Sequence, residues 1–329
     1  MEINIREFGS SINKKSQRII VKEKDVKKEY PFFEINRINI YTAAVSISGS
    51  VIEACMKNGI RINFFRYNGM PIGNFSPNCL NGTVITKRKQ ILSFENGKGS
   101  VLAAKMVEGK LKNQYSTLKY FLKNRKNYKE ENIDEIYKLG ENIGTIIESD
   151  KKEEDKRKFI MGIEGRGAVI YWENIKRVLE NKVKFEGRVH QRTNCPVNAM
   201  LNYGYAILYT RVWEAIELAG LDAFAGILHS DRAGKKSFIY DLCEEFRSIV
   251  VDRAVISLVN LGQTSKIVNG ILKEEDKKNI VERINKILES RCEYNEKRYT
   301  MAYIIQAQAR KAASYFREES EYTPFIWRW

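Results

Sequence analysis

Histidine is scarce in this chain, since only His190 and His229 occur among 329 residues. If the chain binds a metal through an imidazole, the ligand must be one of these two histidines. Cysteine offers no alternative, because the five cysteines lie far apart and include no CxxC pair. This pattern argues against a disulfide framework or a zinc site and indicates a reducing compartment.

The sequence also lacks long apolar runs. No stretch of about 18 uncharged apolar residues occurs, so we expect no transmembrane helix. The N-terminal MEINIREFGS has no apolar core flanked by basic residues, which argues against a signal peptide. These absences predict a cytoplasmic protein that does not associate with membranes through a spanning segment.

Positive charge is in excess. Lys and Arg total 56 against 41 Asp and Glu, which gives a formal net charge of +15. Such a surplus favours a polyanionic partner, because lysine and arginine on phosphates release counterions. Nucleic acid is the favoured partner on this ground, while an anionic membrane or a solvated basic surface without a partner stays open.

The first ninety residues have the pattern of a β-rich domain. Ile60, Ile62 and Phe64 alternate with polar residues, which is typical of a half-buried strand. Asn-Gly pairs at 68–69 and 81–82 predict turns. One short helix is predicted over 50–58, closed by Gly59.

After about residue 89 the spacing becomes helical. Val107, Leu111, Leu118 and Phe121 follow a helical period, and four lysines lie between them on the predicted polar face: Lys110, Lys112, Lys119 and Lys123. Only five prolines occur, and none lies between Pro77 and Pro196 or between Pro196 and Pro324, which permits long helices. We therefore predict an α+β fold, with a small β-rich domain at 1–88 and a larger all-α domain at 89–329.

One histidine lies close to a group of acids. An apolar run brings His229 to a polar turn, and Ser237 is predicted to cap a helix that continues to about Val251. Three acids lie within five residues of that helix: Asp241, Glu244 and Glu245. A divalent cation would neutralise them, and the imidazole would complete a mixed nitrogen and oxygen site. The alternative is an acidic helix face paired with Lys235, Lys236 or Arg247.

A further acid, Glu164, lies in the apolar and small surroundings of FIMGIEGRGAVIYW. Charged side chains are rarely placed there without a partner. A salt bridge to Arg166 or another arginine is the alternative to a functional role. Sequence alone cannot pair Glu164 with a helix some eighty residues later.

Four ordered motifs resemble those of a known family: MGIEGRGA, PVNAMLNYGYAILY, GLDAFAGILH and DLCEEFRSIVVDR. Together they are similar to the CRISPR adaptation integrases, enzymes that insert new spacers into a CRISPR array. GIRINFFRYNGMPIGNFSP resembles the family's N-terminal β domain, and KMVEGKLKNQ resembles its linker helix. One departure is visible at RTNCPVN, where the family usually carries paired prolines and an aspartate.

The resemblance implies a catalytic metal site that holds Mg²⁺ or Mn²⁺. It places the ligands at Glu164, His229 and Glu244, with Asp241 behind them as a supporting carboxylate. Helix geometry does not decide between Glu244 and Glu245; the family match does, since Glu244 follows the histidine by fifteen residues. Glu245 is then expected to hold a basic residue or to cap a neighbouring helix.

The resemblance also implies the reaction and the partners. The family joins captured DNA fragments to a CRISPR repeat by phosphoryl transfer and also cleaves branched DNA, in prokaryotic cells. The resemblance further implies a homodimer that clamps a small ferredoxin-like adaptation partner protein. A DNA-binding scaffold without catalysis and a stand-alone nuclease for branched repair intermediates are the alternatives.

Four basic residues and one tyrosine are candidates for contacts with double-stranded or branched DNA. The candidates are Arg166, Tyr203, Arg232, Lys235 and Lys236. For the two lysines and Arg232, simple solvent exposure is an equally good interpretation. For Tyr203, core packing is the better single interpretation.

Overall fold

The computed structural model describes residues 1–66, 71–76, 84–123, 131–144, 151–189, 193–229, 233–264, 267 and 271–328. The chain divides into two compact units, Met1–Asn81 and Gly82–Trp329. The boundary predicted from the sequence, 88/89, lies a few residues later, and residues 84–88 begin a helix whose Thr86 accepts a hydrogen bond from Arg317 in the second unit. No described helix is long and apolar enough to cross a membrane.

The first unit is built from two four-stranded sheets. Its elements are β1 (Glu2–Ile5), β2 (Ser10–Lys15), β3 (Arg18–Glu23), β4 (Val26–Pro31), β5 (Arg37–Ile40), β6 (Val45–Ile47), α1 (Gly49–Lys57), β7 (Arg61–Phe65) and β8 (Pro71–Phe75). The strand orders are β1-β5-β7-β8, with β8 antiparallel, and β4-β3-β2-β6, with β6 parallel. Buried isoleucines from both sheets form the core.

The strand predicted around residues 60–64 is β7, but it is not half-buried. Arg61 and Asn63, expected to face solvent, are 3% and 6% exposed, because β7 lies between β5 and β8. Asn63 donates a hydrogen bond to Asn39, and Asn39 donates one to Asn4, across three strands. The predicted short helix is α1, and Gly59 after it has a φ of 70°. Both Asn-Gly pairs lie outside the described residues.

The second unit is mostly helical, which confirms the predicted fold class. Its helices are α2 (Val84–Leu92), α3 (Lys98–Leu122), α4 (Glu131–Asn142), α5 (Glu153–Leu179), α6 (Pro196–Leu218), α7 (Ser237–Phe246), α8 (Arg253–Asn260), α9 (Glu274–Glu289) and α10 (Met301–Phe316). The all-α description misses a hairpin of β9 (Arg291–Tyr294) and β10 (Lys297–Thr300). Asn295 and Glu296 both have positive φ, as the two-residue turn of a hairpin requires.

Helices α7 and α8 are joined without a loop by a π-helical segment, Arg247–Asp252. Ser237 is the first residue of α7 and Lys236 precedes it as the cap, so the predicted cap is one residue off. The π-helical segment turns Arg247, Ser248 and Asp252 toward one cavity. Such segments are rare and often occur at functional sites.

A close crossing of α3 and α5 positions the candidate site. A Cβ atom at Gly167 of α5 would lie 2.2 Å from a terminal methyl group of Leu111 on α3, so a larger residue there would force the leucine side chain to shift. The crossing brings Lys110 of α3 against Glu164 of α5. The packing of these two helices therefore fixes the relative positions of Lys110 and Glu164, which are distant in sequence.

Candidate metal centre

The three acids of α7 are all buried. Asp241, Glu244 and Glu245 are 1%, 3% and 0% exposed. Buried carboxylates need charged partners or several hydrogen-bond donors, since isolated burial of a charge is very costly. Each of the three meets this need differently, and the differences assign their roles.

Glu244 shares a lysine with Glu164. The Nζ atom of Lys110 forms an ion pair with Oε1 of Glu164 and lies 2.6 Å from Oε2 of Glu244. Arg247 completes the surroundings, with Nη2 3.2 Å from Oε1 of Glu244. Helices α3, α5 and α7 therefore bring two carboxylates and two cations together.

These groups remain charged in the interior. Burial alone would raise the pKa of Glu244, but Arg247 and Lys110 outweigh it and lower this pKa to about 2. Burial likewise opposes the charge on Lys110, yet Glu244 and Glu164 keep its pKa above the ordinary value. Glu244 and Lys110 therefore stay ionised although both are buried.

His229 is oriented by Asp241. The Nδ1 atom of His229 is 2.5 Å from Oδ1 of Asp241. The backbone N–H groups of Ile227 and Leu228 donate to Oδ2, and that of His229 donates to Oδ1. Asp241 therefore fixes both the loop and the ring, which leaves Nε2 as the ring atom available to a ligand.

Gly226 makes this loop geometry possible. A Cβ atom at this position would lie 2.7 Å from the carbonyl oxygen of His229 and 3.3 Å from Oδ2 of Asp241. Only a residue without a side chain lets the loop fold so closely over the start of α7. Close packing of the loop therefore explains why the GLDAFAGILH motif has a glycine at position 226.

The donor types of these residues suit a hard divalent cation. Carboxylate oxygens and one imidazole nitrogen are accepted ligands of Mg²⁺ and Mn²⁺. Oε2 of Glu244 is a buried oxygen whose 2.6 Å contact with Lys110 lacks hydrogen-bond geometry, so it retains bonding capacity. Among the described residues, no three His, Cys, Asp or Glu side chains are gathered closely enough to hold a metal as they stand. Lys110 occupies the position between the two glutamates instead.

A cavity of about 90 Å³ adjoins the two glutamates. Its volume suits about three water molecules. Several buried polar atoms of its lining have no hydrogen-bond partner among the described residues: Gln114 Oε1, Arg188 Nε, Arg247 Nε and Ser248 Oγ. Unsatisfied groups of this kind indicate a place for water, an ion or a substrate group.

Asp252 lines the same cavity. Tyr171 and Tyr205 donate hydrogen bonds to its two carboxylate oxygens over 2.9 and 2.5 Å. Burial raises the pKa of Asp252 to about 6, although both tyrosines oppose this shift. The π-helical segment thus places Asp252, a further carboxyl group, in the cavity that Glu164 and Glu244 also line.

Glu245 does not line this cavity. It binds the C-terminal tail, which is the segment 317–328 after α10. It accepts hydrogen bonds from the Tyr322 hydroxyl, from Nε2 of Gln308 and from the backbone N–H of Phe325. Burial raises the pKa of Glu245 to about 7, against the effect of these donors. The expectation that Glu245 pairs with a basic residue or caps a helix is wrong, because neutral donors from α10 and the tail bind it and Lys311 acts on it only through its charge.

The candidate DNA contacts are scattered. Arg166 is exposed and pairs with Glu135 of α4, rather than with Glu164. Lys236 lies 3.4 Å over the Trp213 ring and Lys235 5.8 Å over the Tyr240 ring, so both are partly engaged in cation–π contacts. Tyr203 is 3% exposed, which supports core packing and removes it as a DNA contact. Arg232 lies outside the described residues.

Lys110 was not among the predicted site residues. Helical spacing predicted a position for it on the polar face of α3, whereas Lys110 is only 7% exposed. The available signal was its position one residue before Leu111 in the linker-helix motif KMVEGKLKNQ. Arg247 was named only as a possible ion-pair partner of the acids, and it does pair with Glu244.

A β-rich unit followed by a mostly helical one, with buried carboxylates and an oriented imidazole in the helical unit, defines a protein with a candidate cation-binding centre. The family described as CRISPR associated protein Cas1 matches residues 3–286. CRISPR-associated endonuclease Cas1 1 of Archaeoglobus fulgidus is 32% identical, with 100% of both chains covered. The chain therefore belongs to the Cas1 family, and it is a CRISPR-associated endonuclease/integrase involved in adaptation.

Solved structures share the fold. A casposase bound to its integration product has a TM-score of 0.81 at 24% identity, with 99% of this chain and 93% of that chain covered. A Cas6-RT-Cas1–Cas2 complex contains a chain with a TM-score of 0.74 at 18% identity, with 99% of this chain and 36% of that chain covered. These two structures show that the fold is shared, and the family match and the Archaeoglobus relative confirm the family resemblance found in the sequence.

Proposed function

We propose that this chain joins captured DNA fragments to a CRISPR repeat at a centre that holds Mg²⁺ or Mn²⁺ through Glu164, His229 and Glu244. The observation that supports the proposal best is that Glu164 and Glu244, from two helices, both contact the ammonium group of Lys110. Asp241 supports it further, because it directs the Nε2 atom of the imidazole outward.

The roles of the residues follow from their contacts. Glu164 and Glu244 would bind the cation with carboxylate oxygens, and His229 would bind it with Nε2. A bound divalent cation stabilises the charge that develops on the scissile phosphate. Asp241 keeps the imidazole in one tautomer, and Arg247 neutralises the remaining oxygen of Glu244. The joining exchanges one phosphodiester for another, so it needs little net free energy.

A DNA-binding scaffold is the second candidate, and one observation favours it. Lys110 and Arg247 already neutralise Glu164 and Glu244, as a purely structural ion-pair network would. A scaffold of this kind would bind DNA through its +15 charge and would not process it.

The test is integration of a labelled DNA fragment into a repeat-containing plasmid, with Cas2 present and with Mg²⁺ or Mn²⁺. We expect strand-transfer products with the native chain and none with Glu164→Gln. Glu173→Gln is the matched control, since Glu173 is exposed on the same helix. DNA binding without metal-dependent products would favour the scaffold, and cleavage of branched DNA without joining would favour a repair nuclease.

We further infer that the chain acts as a homodimer with Cas2 as its partner. The similar complex that contains Cas1 and Cas2 supports the partner. An exposed edge strand supports the dimer, since β8 ends the sheet and carries Ile72 and Phe75, which are 62% and 43% exposed. Light scattering at micromolar concentration should give a dimer mass, and a monomer would contradict the inference.

A further inference from the structure

The ammonium group of Lys110 lies where the two proposed carboxylate ligands converge. It contacts Oε1 of Glu164 and Oε2 of Glu244, and no solvent separates them. These are oxygens that a metal bound between the two glutamates would need. A lysine ammonium and a divalent cation cannot both occupy that position, so binding of one requires the other to move.

The structure provides a place for the displaced ammonium. Gln114 lies one turn after Lys110 on α3, and both residues line the 90 Å³ cavity. Oε1 of Gln114 is a buried acceptor without a hydrogen-bond partner in the described part of the chain. Four rotatable bonds let a lysine side chain shift its ammonium by several ångströms while its stem stays packed.

We propose that Lys110 is an exchangeable counter-ion of the metal centre: its ammonium holds Glu164 and Glu244 together in the metal-free protein and withdraws toward Gln114 when a divalent cation binds. The proposal rests on the proposed metal-binding function. It makes Lys110 a positioning residue, which keeps the buried Glu244 and the partly exposed Glu164 from repelling each other while the site has no metal.

Two opposite effects follow from this arrangement. Removal of the ammonium leaves Glu164 and Glu244 poorly compensated, so the metal-free protein loses stability. The same change removes a competitor, so the metal binds more tightly. A lysine with a purely structural role would produce the first effect without the second.

The experiment measures Mn²⁺ affinity by electron paramagnetic resonance and melting temperature with and without Mn²⁺, on the full-length chain. For Lys110→Met we expect a lower melting temperature without metal and a Kd for Mn²⁺ lowered by about tenfold or more. The matched control is Lys112→Met, because Lys112 lies on the same helix, pairs with Glu108 and does not line the cavity. Its Kd should equal that of the native chain.

A second variant tests the withdrawal itself and does not depend on the folding of Lys110→Met. Gln114→Met removes the acceptor, so Mn²⁺ should bind several-fold more weakly, while the metal-free melting temperature stays close to native. Unchanged Mn²⁺ affinity in Gln114→Met, or unchanged or weaker affinity in folded Lys110→Met, would overturn the proposal.

One further measurement separates this proposal from the proposed function. If Mn²⁺ binds the native chain and Glu244→Gln abolishes binding, the centre exists and only the role of Lys110 is at issue. If the native chain binds no Mn²⁺, or if Glu244→Gln binds it normally, the metal centre itself is wrong and the counter-ion role falls with it.

Discussion

Glu244 and Glu245 are neighbours on α7, and both are buried, but their surroundings differ in charge. On one side of the helix, Lys110 and Arg247 surround Glu244 and lower its pKa to about 2. On the other side, neutral donors from Gln308 and Tyr322 surround Glu245, whose pKa is raised to about 7 by burial.

The comparison separates two uses of the same side chain. An ionised carboxylate beside a lysine ammonium can exchange that ammonium for another cation. A carboxyl group among fixed hydrogen-bond donors instead joins parts of the chain, here α7 and the tail. Both arrangements bury an acid, so burial alone does not identify the functional residue; the charge of the neighbours does.

The largest expected difference is in integration. Glu244→Gln and Glu245→Gln make the same chemical change at adjacent positions of α7 that have different surroundings. We expect Glu244→Gln to reduce the integration rate by at least about a hundredfold, since even residues behind metal ligands often cost that much. Glu245→Gln should stay within a few-fold of native, and both should keep their affinity for duplex DNA. Equal losses in the two variants would remove the distinction.

A smaller catalytic effect is expected one turn earlier on α7. Asp241→Asn replaces an acceptor of four hydrogen bonds by a group with an amide donor, which disturbs the loop and the His229 tautomer. Mn²⁺ affinity and integration rate should each fall by roughly 10- to 100-fold. Native affinity in this variant would show that Asp241 only anchors the loop.

For the free energy of unfolding we expect the opposite order, with a larger effect from substitution of Glu245 than of Glu244. Glu245→Ala leaves the Tyr322 hydroxyl and the Phe325 N–H without their acceptor, at a cost of about 1–3 kcal/mol each, and removes one of the acceptors of the Gln308 amide. Chemical denaturation should therefore show a loss of about 3 kcal/mol or more, with faster proteolysis of the tail. Glu173→Ala, at an exposed position, is the control and should change stability by under about 0.5 kcal/mol.

The stability of the protein should also depend on pH. The folded-state pKa of Glu245 is about 7 and its ordinary value is 4.5, so the folded protein holds an extra proton between these values. Its contribution to stability is complete below pH 4.5 and is lost as the pH rises to about 7, by at most about 1.4 kcal/mol per pH unit.

Glu245→Gln should flatten that part of the stability profile. Asp252 changes in the same direction in an overlapping range, because its pKa is raised from 3.8 to about 6, so the difference between the native and variant profiles is the informative quantity. Urea denaturation between pH 5 and 7.5 measures it. Parallel profiles for the two proteins would contradict the raised pKa of Glu245.

Much of the architecture was accessible from the sequence. Alternation and helical spacing predicted a β-rich unit before a helical one, and the order of motifs predicted the family. The hairpin β9–β10 was missed because its turn residues, Asn295 and Glu296, are not the usual Asn-Gly pair, although both have positive φ. The π-helical segment was missed because the apolar period of α7 continues into it.

The site was accessible only in part. Local pattern indicated Glu164, His229 and the acids of α7, but it could not choose between Glu244 and Glu245. That choice depends on Lys110, 134 residues earlier than Glu244, and on Tyr322, 77 residues later than Glu245. Helical spacing placed Lys110 on a polar face, since periodicity contains no information about ion pairs between distant helices.

The contact between Glu245 and the tail has a consequence for protein synthesis. The donors that Glu245 needs come from residues 308–325, so α7 has no partner for this buried acid until that segment has left the ribosome. The β-rich unit is complete long before, and domains generally fold in the order of their synthesis. A nascent chain would therefore carry a folded first unit while Glu244, one residue from Glu245, is not yet fixed in place. Nuclease chemistry would then begin only after translation has passed the tail.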